Sequence, residues 1–172
     1  MKIPGLLILS ASIFSISAQL LPAADPIPNR LIDYAAFQKI VITSEAERES
    51  RRLTEGAFLT AMTEPGVVVL DARSAQRYQM RHVKGAVNLP FTEFAAAPLA
   101  GIIPGKDTKI LIYCNNNFLG DQVAMVSKMP SASLNLSTYT SLKSYGYTNI
   151  YELGPLLDVD KTKIPFEGSE VK

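Results

Sequence analysis

The single cysteine of the chain, Cys114, is followed directly by Asn115, Asn116 and Asn117. A cysteine is nucleophilic as its thiolate, and a free thiol with a pKa near ~8.5 is only slightly ionised at neutral pH. Lowering that pKa by two units needs about 2.7 kcal/mol of preferential stabilisation of the anion. Backbone amides in a tight loop can supply this, at ~1.5–3 kcal/mol per charge-assisted hydrogen bond. The sequence therefore offers a nucleophilic thiol, with a small buried hydrophobic residue as the alternative.

An apolar run and a polar loop must position this cysteine. Residues 110–113, Ile-Leu-Ile-Tyr, are typical of a buried parallel strand. The asparagines favour a tight loop because their side chains hydrogen-bond locally. Gly120 and Asp121 precede residues 122–129, for which we predict a helix of about two to three turns. The predicted unit is thus a strand, Cys114, a loop and a helix.

Apolar runs alternate with helical segments along the rest of the chain. Further strands are predicted at residues 67–70, 86–89 and 149–153, and helices or turns at residues 30–42, 55–62, 92–100 and 139–145. A capping box formed by Ser44 and Glu47 predicts a separate solvated helix or linker at residues 44–52. The alternation predicts an α/β domain with a mainly parallel sheet and helices on both faces. Asp71 and Cys114 each follow a strand, at the sheet edge where sites form.

The N-terminal residues 1–24 are predicted to be a signal peptide. Lys2 precedes an apolar core from Leu6 to about Ile16, and small residues follow. We therefore expect a secreted or periplasmic protein with no membrane segment after cleavage. The alternative is an N-terminal membrane anchor, because residues 3–24 carry no charge. Residues 25–50 are predicted to be a linker and an added helix.

Composition bounds the classes of function. The 172 residues include 17 basic and 16 acidic side chains. This near-neutral balance gives no electrostatic footprint for nucleic acid or anionic lipid. One His and one Cys do not support a zinc site, so no metal is expected. In an exported chain, an unpaired cysteine is a reactive thiol or forms an intermolecular disulfide.

Several motifs, in their order and spacing, resemble the rhodanese-like family. They are Asp71-x-Arg73 at a strand end, His82-x-x-Gly85-Ala86-x-Asn88-x-Pro90, a strand ending in Cys114, and Gly146-Tyr147-x-Asn149-Ile150 before the last strand. The resemblance spans about residues 52–157. It implies a five-stranded, mainly parallel sheet flanked by helices on both faces. The implied domain covers residues 51–160, with residues 161–172 as a C-terminal tail.

The resemblance also implies a chemistry for Cys114. As a sulfurtransferase or sulfur carrier, the chain would take sulfane sulfur from a small donor as a Cys114 persulfide. A thiol acceptor, small or on a protein, would then remove the sulfur. No cofactor is implied. Backbone amides would hold the terminal sulfur in a substrate-binding loop that comprises Asn115, Asn116, Asn117, Phe118, Leu119 and Gly120.

The loop departs from the family pattern because it has no basic residue. The family's Gly-Gly-x-x-x-Trp segment is replaced by Gly-Pro-Leu-Leu-Asp at residues 154–158. Related phosphatases need Cys-x5-Arg, and Gly120 occupies the Arg position, so a phosphatase is not expected. Asn117 is expected to adopt left-handed backbone in place of a loop glycine. Phe118 and Leu119 are expected to make the rim apolar.

Charged residues outside the loop have supporting roles in this interpretation. Asp71 and Arg73 are expected to fix the sheet edge by charge-assisted hydrogen bonds, and His82 is structural in the family. Arg73, Arg77 and Arg81 recur every four residues and could share one helix face. They form either a solvated stripe or a source of the positive field that the loop lacks.

Two other functions are compatible with the sequence. The first is a catalytically silent binding module whose asparagine-rich loop recognises a partner or an anion. The second is a thiol redox sensor in which Cys114 oxidises or pairs with the cysteine of another protein.

Overall fold

The computed structural model describes residues 27–171, so the predicted signal peptide at residues 1–24 lies outside the described residues. Within the described range, no helix is long and apolar enough to cross a membrane. Residues 27–32 contain one turn, in which the Ile32 N–H donates to the Asn29 carbonyl at 3.2 Å. The compact unit that contains Cys114 begins at Asp33.

The centre of this unit is a parallel sheet. The strands in chain order are β1 (Arg52–Leu53), β2 (Val68–Asp71), β3 (His82–Val83), β4 (Val87–Asn88), β5 (Ile110–Tyr113), β6 (Phe118–Leu119), β7 (Ile150–Leu153), β8 (Leu157–Asp158) and β9 (Phe166–Glu167). Five of them form the sheet, in the spatial order β1-β7-β5-β2-β4 and all parallel. The pairs β3–β9 and β6–β8 are separate two-stranded ribbons. The predicted fold class, a parallel sheet flanked by helices, is confirmed.

Helices cover both faces of this sheet. They are α1 (Tyr34–Ser50), α2 (Glu55–Met62), α3 (Ala75–Met80), α4 (Ala96–Ile102) and α5 (Leu134–Ser144). Successive strand residues point to opposite faces, so β5 contributes to two cores. Leu111 and Tyr113 pack with Phe58 of α2. Ile110 and Ile112 pack on the other face with α4 and α5.

The N-terminal helix differs from its prediction. Instead of a helix at residues 30–42 and a separate charged segment, α1 runs without interruption, and its cap is Asp33, whose side chain accepts the Ala36 N–H at 2.8 Å. The predicted capping box at Ser44 is wrong because Ser44 lies in mid-helix and is buried. Lys143 of α5 contacts Glu47 at 2.8 Å. One side of the charged end of α1 is therefore docked on the domain, while Glu45 and Glu49 remain exposed.

The predicted helix at residues 122–129 is also wrong. This segment forms a turn followed by extended chain. The Asp121 carboxylate accepts the N–H groups of Val123 and Ala124 at 3.0 and 2.7 Å, which favours a local turn over a helix. Beyond the turn, Lys128 is bound to the asparagine loop through its backbone.

The helix predicted at residues 139–145 begins earlier than expected. A 3-10 turn at Pro130–Ala132 leads directly into α5 at Leu134. Ser137 and Thr138, which precede the predicted start, therefore lie inside the helix. This early start brings Ser133, the residue before α5, next to the cysteine.

Candidate active site

Cys114 lies at the carboxyl end of β5, the central strand of the sheet. It begins a 3-10 helix at Asn115–Asn117. The first N–H groups of a helix have no partner within it, and those of Asn115 and Asn116 make no hydrogen bond to another described residue. The residue is only 1% exposed, yet it lines a pocket of about 430 Å³. The thiol thus lines the pocket at the start of a helix whose first two N–H groups have no partner among the described residues.

The three asparagine side chains shape the loop around the thiol. Asn117 accepts the Cys114 N–H at 2.9 Å and donates to the Leu153 carbonyl at 2.7 Å. Asn116 forms a pair of hydrogen bonds with the Lys128 backbone, and Asn115 donates to the Val126 carbonyl. All three side-chain amides are thus hydrogen-bonded to backbone groups of this chain. The loop therefore has a fixed shape, and its side chains hold backbone in place.

The remaining loop residues only partly match their predictions. Among the described residues no non-glycine has a positive φ, so the expected left-handed backbone at Asn117 is wrong. Gly120 instead takes that conformation, with φ +93°. Phe118 is buried against the rings of Tyr113 and Phe166 and does not form a rim. Leu119 is 49% exposed and does line the Cys114 pocket.

Ser133 also lines this pocket and contacts the sulfur. Its Oγ lies 3.5 Å from Cys114 Sγ. A hydroxyl can donate to a thiolate and so stabilise the anion. Asn135, the second residue of α5, donates to Asn117 Oδ1 at 3.1 Å, while its own buried carbonyl oxygen has no partner among the described residues. Sequence reasoning missed both residues because it placed the start of α5 too late.

Asp71 and Arg73 form a sealed ion pair at the end of β2. Arg73 donates to both carboxylate oxygens of Asp71, the shortest contact being 2.5 Å, and both residues are at most 3% exposed. The Tyr113 hydroxyl donates to the same carboxylate. Further Arg73 N–H groups donate to the carbonyls of Ala124 and Arg81. Neither charged group lines the Cys114 pocket; the pair ties the segment after Asp121 to the sheet.

The other candidates for a positive field are placed away from the thiol. The helix α3 covers only residues 75–80, so the predicted shared helix face for Arg73, Arg77 and Arg81 is wrong. Arg81 pairs with Asp121 at 2.8 Å. Arg77 lines a neighbouring depression. His82 stacks on the Tyr78 ring at 3.7 Å between centroids, and its Nδ1 lies 2.7 Å from the Tyr78 carbonyl oxygen.

Basic groups at the Cys114 pocket come from elsewhere in the chain. Arg48 of α1, Arg52 of β1 and Lys128 line it, together with the carboxylate of Glu152. The β5–β7 register pairs Ile112 with Glu152. Because alternate strand residues share a face, Glu152 and Cys114 lie on the same side of the sheet. In the sequence, Arg48 and Arg52 belong to the charged segment 44–52, which was predicted to be a solvated helix or linker and not part of a site.

A parallel five-stranded sheet with a cysteine loop at the end of its central strand defines a class of protein. The family model for the Rhodanese-like domain matches residues 54–154. The chain belongs to this family.

Individual proteins and solved structures are also similar to this chain. The chain is 28% identical to the thiosulfate sulfurtransferase PspE of Escherichia coli strain K12 over 95 residues, which are 55% of this chain and 76% of that protein. The solved structure of the BH2092 protein from Bacillus halodurans has a TM-score of 0.53 at 14% identity and covers 77% of this chain and 88% of that one. A structure titled rhodanese with anions, from E. coli, has a TM-score of 0.41 at 24% identity, with 60% and 99% covered.

Proposed function

We propose that this protein is a sulfurtransferase or sulfur carrier that forms a persulfide on Cys114. The observation that carries the proposal is the position of the thiol at the end of β5, where it lines a pocket and immediately precedes the first N–H groups of a 3-10 helix. The similarity to a thiosulfate sulfurtransferase supports the same chemistry.

In the proposed reaction, the Cys114 thiolate attacks the outer sulfur of an anionic donor such as thiosulfate. The Sγ–S bond forms, the S–S bond of the donor breaks, and sulfite leaves with the bonding electron pair. The negative charge then lies on the terminal sulfur, where backbone N–H groups stabilise it. A thiolate acceptor attacks that sulfur, and Cys114 leaves again as a thiolate. No cofactor takes part in this sequence.

The alternative of a silent binding module has weaker support. It requires the asparagine side chains to recognise a partner, but those of Asn115, Asn116 and Asn117 are hydrogen-bonded to the backbone of this chain. The redox-sensor alternative uses the same thiol. It differs in that the oxidised product carries oxygen or a second protein, and no transferred sulfur.

Release of sulfite tests the proposal. Purified protein mixed with excess thiosulfate should release about one equivalent of sulfite in a first turnover, and continued release should require an added thiol acceptor. The Cys114→Ser variant is the matched control and should release none. Wild-type protein that gives no sulfite with thiosulfate, and no acceptor persulfide with polysulfide, would overturn the proposal.

We also propose that the protein acts outside the cytoplasm, as a secreted or periplasmic protein. The support is the N-terminal sequence, with Lys2, an apolar core and small residues before residue 25. Expression of the whole chain should yield a mature form in the extracytoplasmic fraction whose mass lacks about 24 residues. Full-length protein in the membrane fraction would support the uncleaved anchor instead.

A further inference from the structure

The basic residues at the Cys114 pocket share one buried anchor. Arg48 donates to both oxygens of the Glu152 carboxylate, at 2.6 and 3.0 Å. Arg52 Nε lies 3.3 Å from the same carboxylate, and its Nη2 donates to the Gly154 carbonyl at 3.0 Å. The Glu152 side chain is 3% exposed, whereas those of Arg48 and Arg52 are 26% and 40% exposed. One sealed carboxylate thus holds two guanidinium groups that solvent and ligands can reach.

The charge on this lining is not balanced within the pocket. Arg48, Arg52 and Lys128 line it against the carboxylate of Glu152 among the described residues. Glu49 also pairs with Arg52, at 2.8 Å, but its side chain is 58% exposed and does not line the pocket. A concave site with an excess of one charge concentrates ions of the opposite sign. An anion that enters therefore meets guanidinium groups near Cys114.

Both arginines lie outside the part of the chain that matches the family. Arg48 and Arg52 precede the matched residues 54–154, while Glu152 lies within them. The helix α1 is held in place by its packing on α5, where buried Ser44 and the Glu47–Lys143 ion pair fix its C-terminal half. The segment before the matched domain is therefore built into the pocket wall.

We infer that α1 and β1 complete the active site by supplying Arg48 and Arg52 as the groups that bind the anionic part of a sulfur donor. Glu152 is the positioning residue that holds them. This inference rests on the proposed function, and it explains how a loop without a basic residue serves an anionic donor. Guanidinium groups suit this task because they remain charged while paired with a carboxylate. Arg48 also keeps one nitrogen, Nη1, that makes no hydrogen bond among the described residues.

The rate of Cys114 alkylation measures the effect of these positive charges at the pocket without any sulfur transfer. Iodoacetate is an anion and iodoacetamide is neutral, so the ratio of their rates at Cys114, measured by mass spectrometry, reports the local charge. In Arg52→Gln this ratio should fall about 3- to 10-fold, with the iodoacetamide rate within about twofold of wild type. Arg52→Lys should restore most of the ratio. Arg51→Gln is the matched control, because Arg51 donates to the Thr148 carbonyl and does not line the pocket.

The contribution of Arg48 has to be tested in a variant that also removes the charge of Glu152. Arg48→Gln alone leaves the buried Glu152 carboxylate without its main partner, which destabilises the fold. The double variant Arg48→Gln/Glu152→Gln removes both charges, and its ratio should fall relative to Glu152→Gln alone. Ratios unchanged in the Arg52 and Arg48 variants would overturn the inference, as would a Cys114 that neither reagent modifies.

The two proposals fail separately in this experiment. If the ratio falls in Arg52→Gln but wild-type protein gives no sulfite with thiosulfate and no acceptor persulfide with polysulfide, the arginines bind anions and the proposed sulfur transfer is wrong. If sulfite release is normal while the ratio is the same in Arg52→Gln and Arg51→Gln, the transfer stands and the role of α1 and β1 is wrong.

Discussion

Two arginine–carboxylate clusters stand at the carboxyl edge of the sheet, and they differ in exposure. In the first, Asp71 and Arg73 are both buried, and the guanidinium is fully used on Asp71, on carbonyl groups and on Met125. In the second, a buried Glu152 holds two arginines that remain partly exposed. A sealed pair can only support the fold, whereas a half-exposed one also offers charge to a ligand. We therefore expect the first cluster to stabilise the fold and the second to bind anions, as proposed above.

The pKa shifts of the ionisable groups also differ between the two clusters. Burial alone would lower the pKa of Arg73, but the Asp71 carboxylate more than offsets it and raises that pKa. Burial, with a smaller contribution from Asp71, raises the pKa of Tyr113 well above its ordinary value. For Glu152, burial raises the pKa even though Arg48 opposes the shift. In the first cluster, ion pairing thus outweighs the cost of burying the Arg73 charge. In the second, the arginines do not fully offset the cost of burying the Glu152 carboxylate.

The largest expected effect is loss of the sealed pair. Asp71→Asn leaves Arg73 buried without a counter-ion and weakens the contact with Tyr113, so the free energy of unfolding should fall by about 3–5 kcal/mol. Urea denaturation measures it. The control is Asp160→Asn, because Asp160 is exposed, and a change within about 0.5 kcal/mol is expected there. A loss of less than 1 kcal/mol in Asp71→Asn, roughly a surface-residue effect, would contradict the structural role.

An intermediate effect is expected from Asp121, which joins the loop after Gly120 to Arg81. Burial would raise the pKa of Asp121, but the Ala124 and Val123 N–H groups and Arg81 together lower it. A lowered carboxyl pKa gives stability that is present above the unfolded pKa, near ~3.9, and is lost as the pH falls through the folded pKa. Asp121→Asn should therefore cost about 1–2 kcal/mol at neutral pH and less in acid. A cost independent of pH would count against this pairing.

A smaller effect is expected at the second cluster. The raised pKa of Glu152 means that its contribution to stability is full below the unfolded pKa, near ~4.3, and is lost as the pH rises through the folded pKa. In Glu152→Gln this loss disappears, so the variant should become more stable relative to wild type as the pH rises through that window. At neutral pH its cost should stay below about 1 kcal/mol, since both arginines can be solvated. A cost comparable to that of Asp71→Asn would erase the contrast between the clusters.

The smallest expected effect concerns the hydroxyl at the thiol. Ser133→Ala removes the group 3.5 Å from Cys114 Sγ, so alkylation by iodoacetamide at neutral pH should slow by about 2- to 5-fold. Stability should change by less than about 0.5 kcal/mol. Ser131→Ala, two residues earlier and exposed, is the control. An unchanged rate in Ser133→Ala would show that the hydroxyl does not stabilise the thiolate.

The sequence predicted the sheet well because its strands are buried on both faces. Ile110–Tyr113 and Ile150–Leu153 are continuous apolar or nearly apolar runs, and such runs identify parallel strands from local pattern alone. The helix capped by Thr54, α2, was predicted for a similar reason, since its start signal is local. The fold class therefore followed from short-range information.

The pocket could not be predicted in the same way because its parts are distant in sequence. Arg48 and Glu152 are 104 residues apart, and only the β5–β7 register and the docking of α1 bring them together. The charged run that contains Arg48 has the composition of a solvated helix, and its ion pairs depend on tertiary packing. Asn115 and Asn116 have side-chain partners at Val126 and Lys128, which turned a predicted helix into extended chain.

The central claim is that Cys114 carries sulfane sulfur, and intact-protein mass spectrometry tests it most directly. After incubation with thiosulfate and removal of the excess, wild-type protein should gain about 32 Da, one sulfur atom, at Cys114. A small thiol should then return the mass to its starting value, while Cys114→Ser should gain nothing. A wild-type mass that does not change with thiosulfate or with polysulfide, in protein shown to be folded and reduced, would contradict the account.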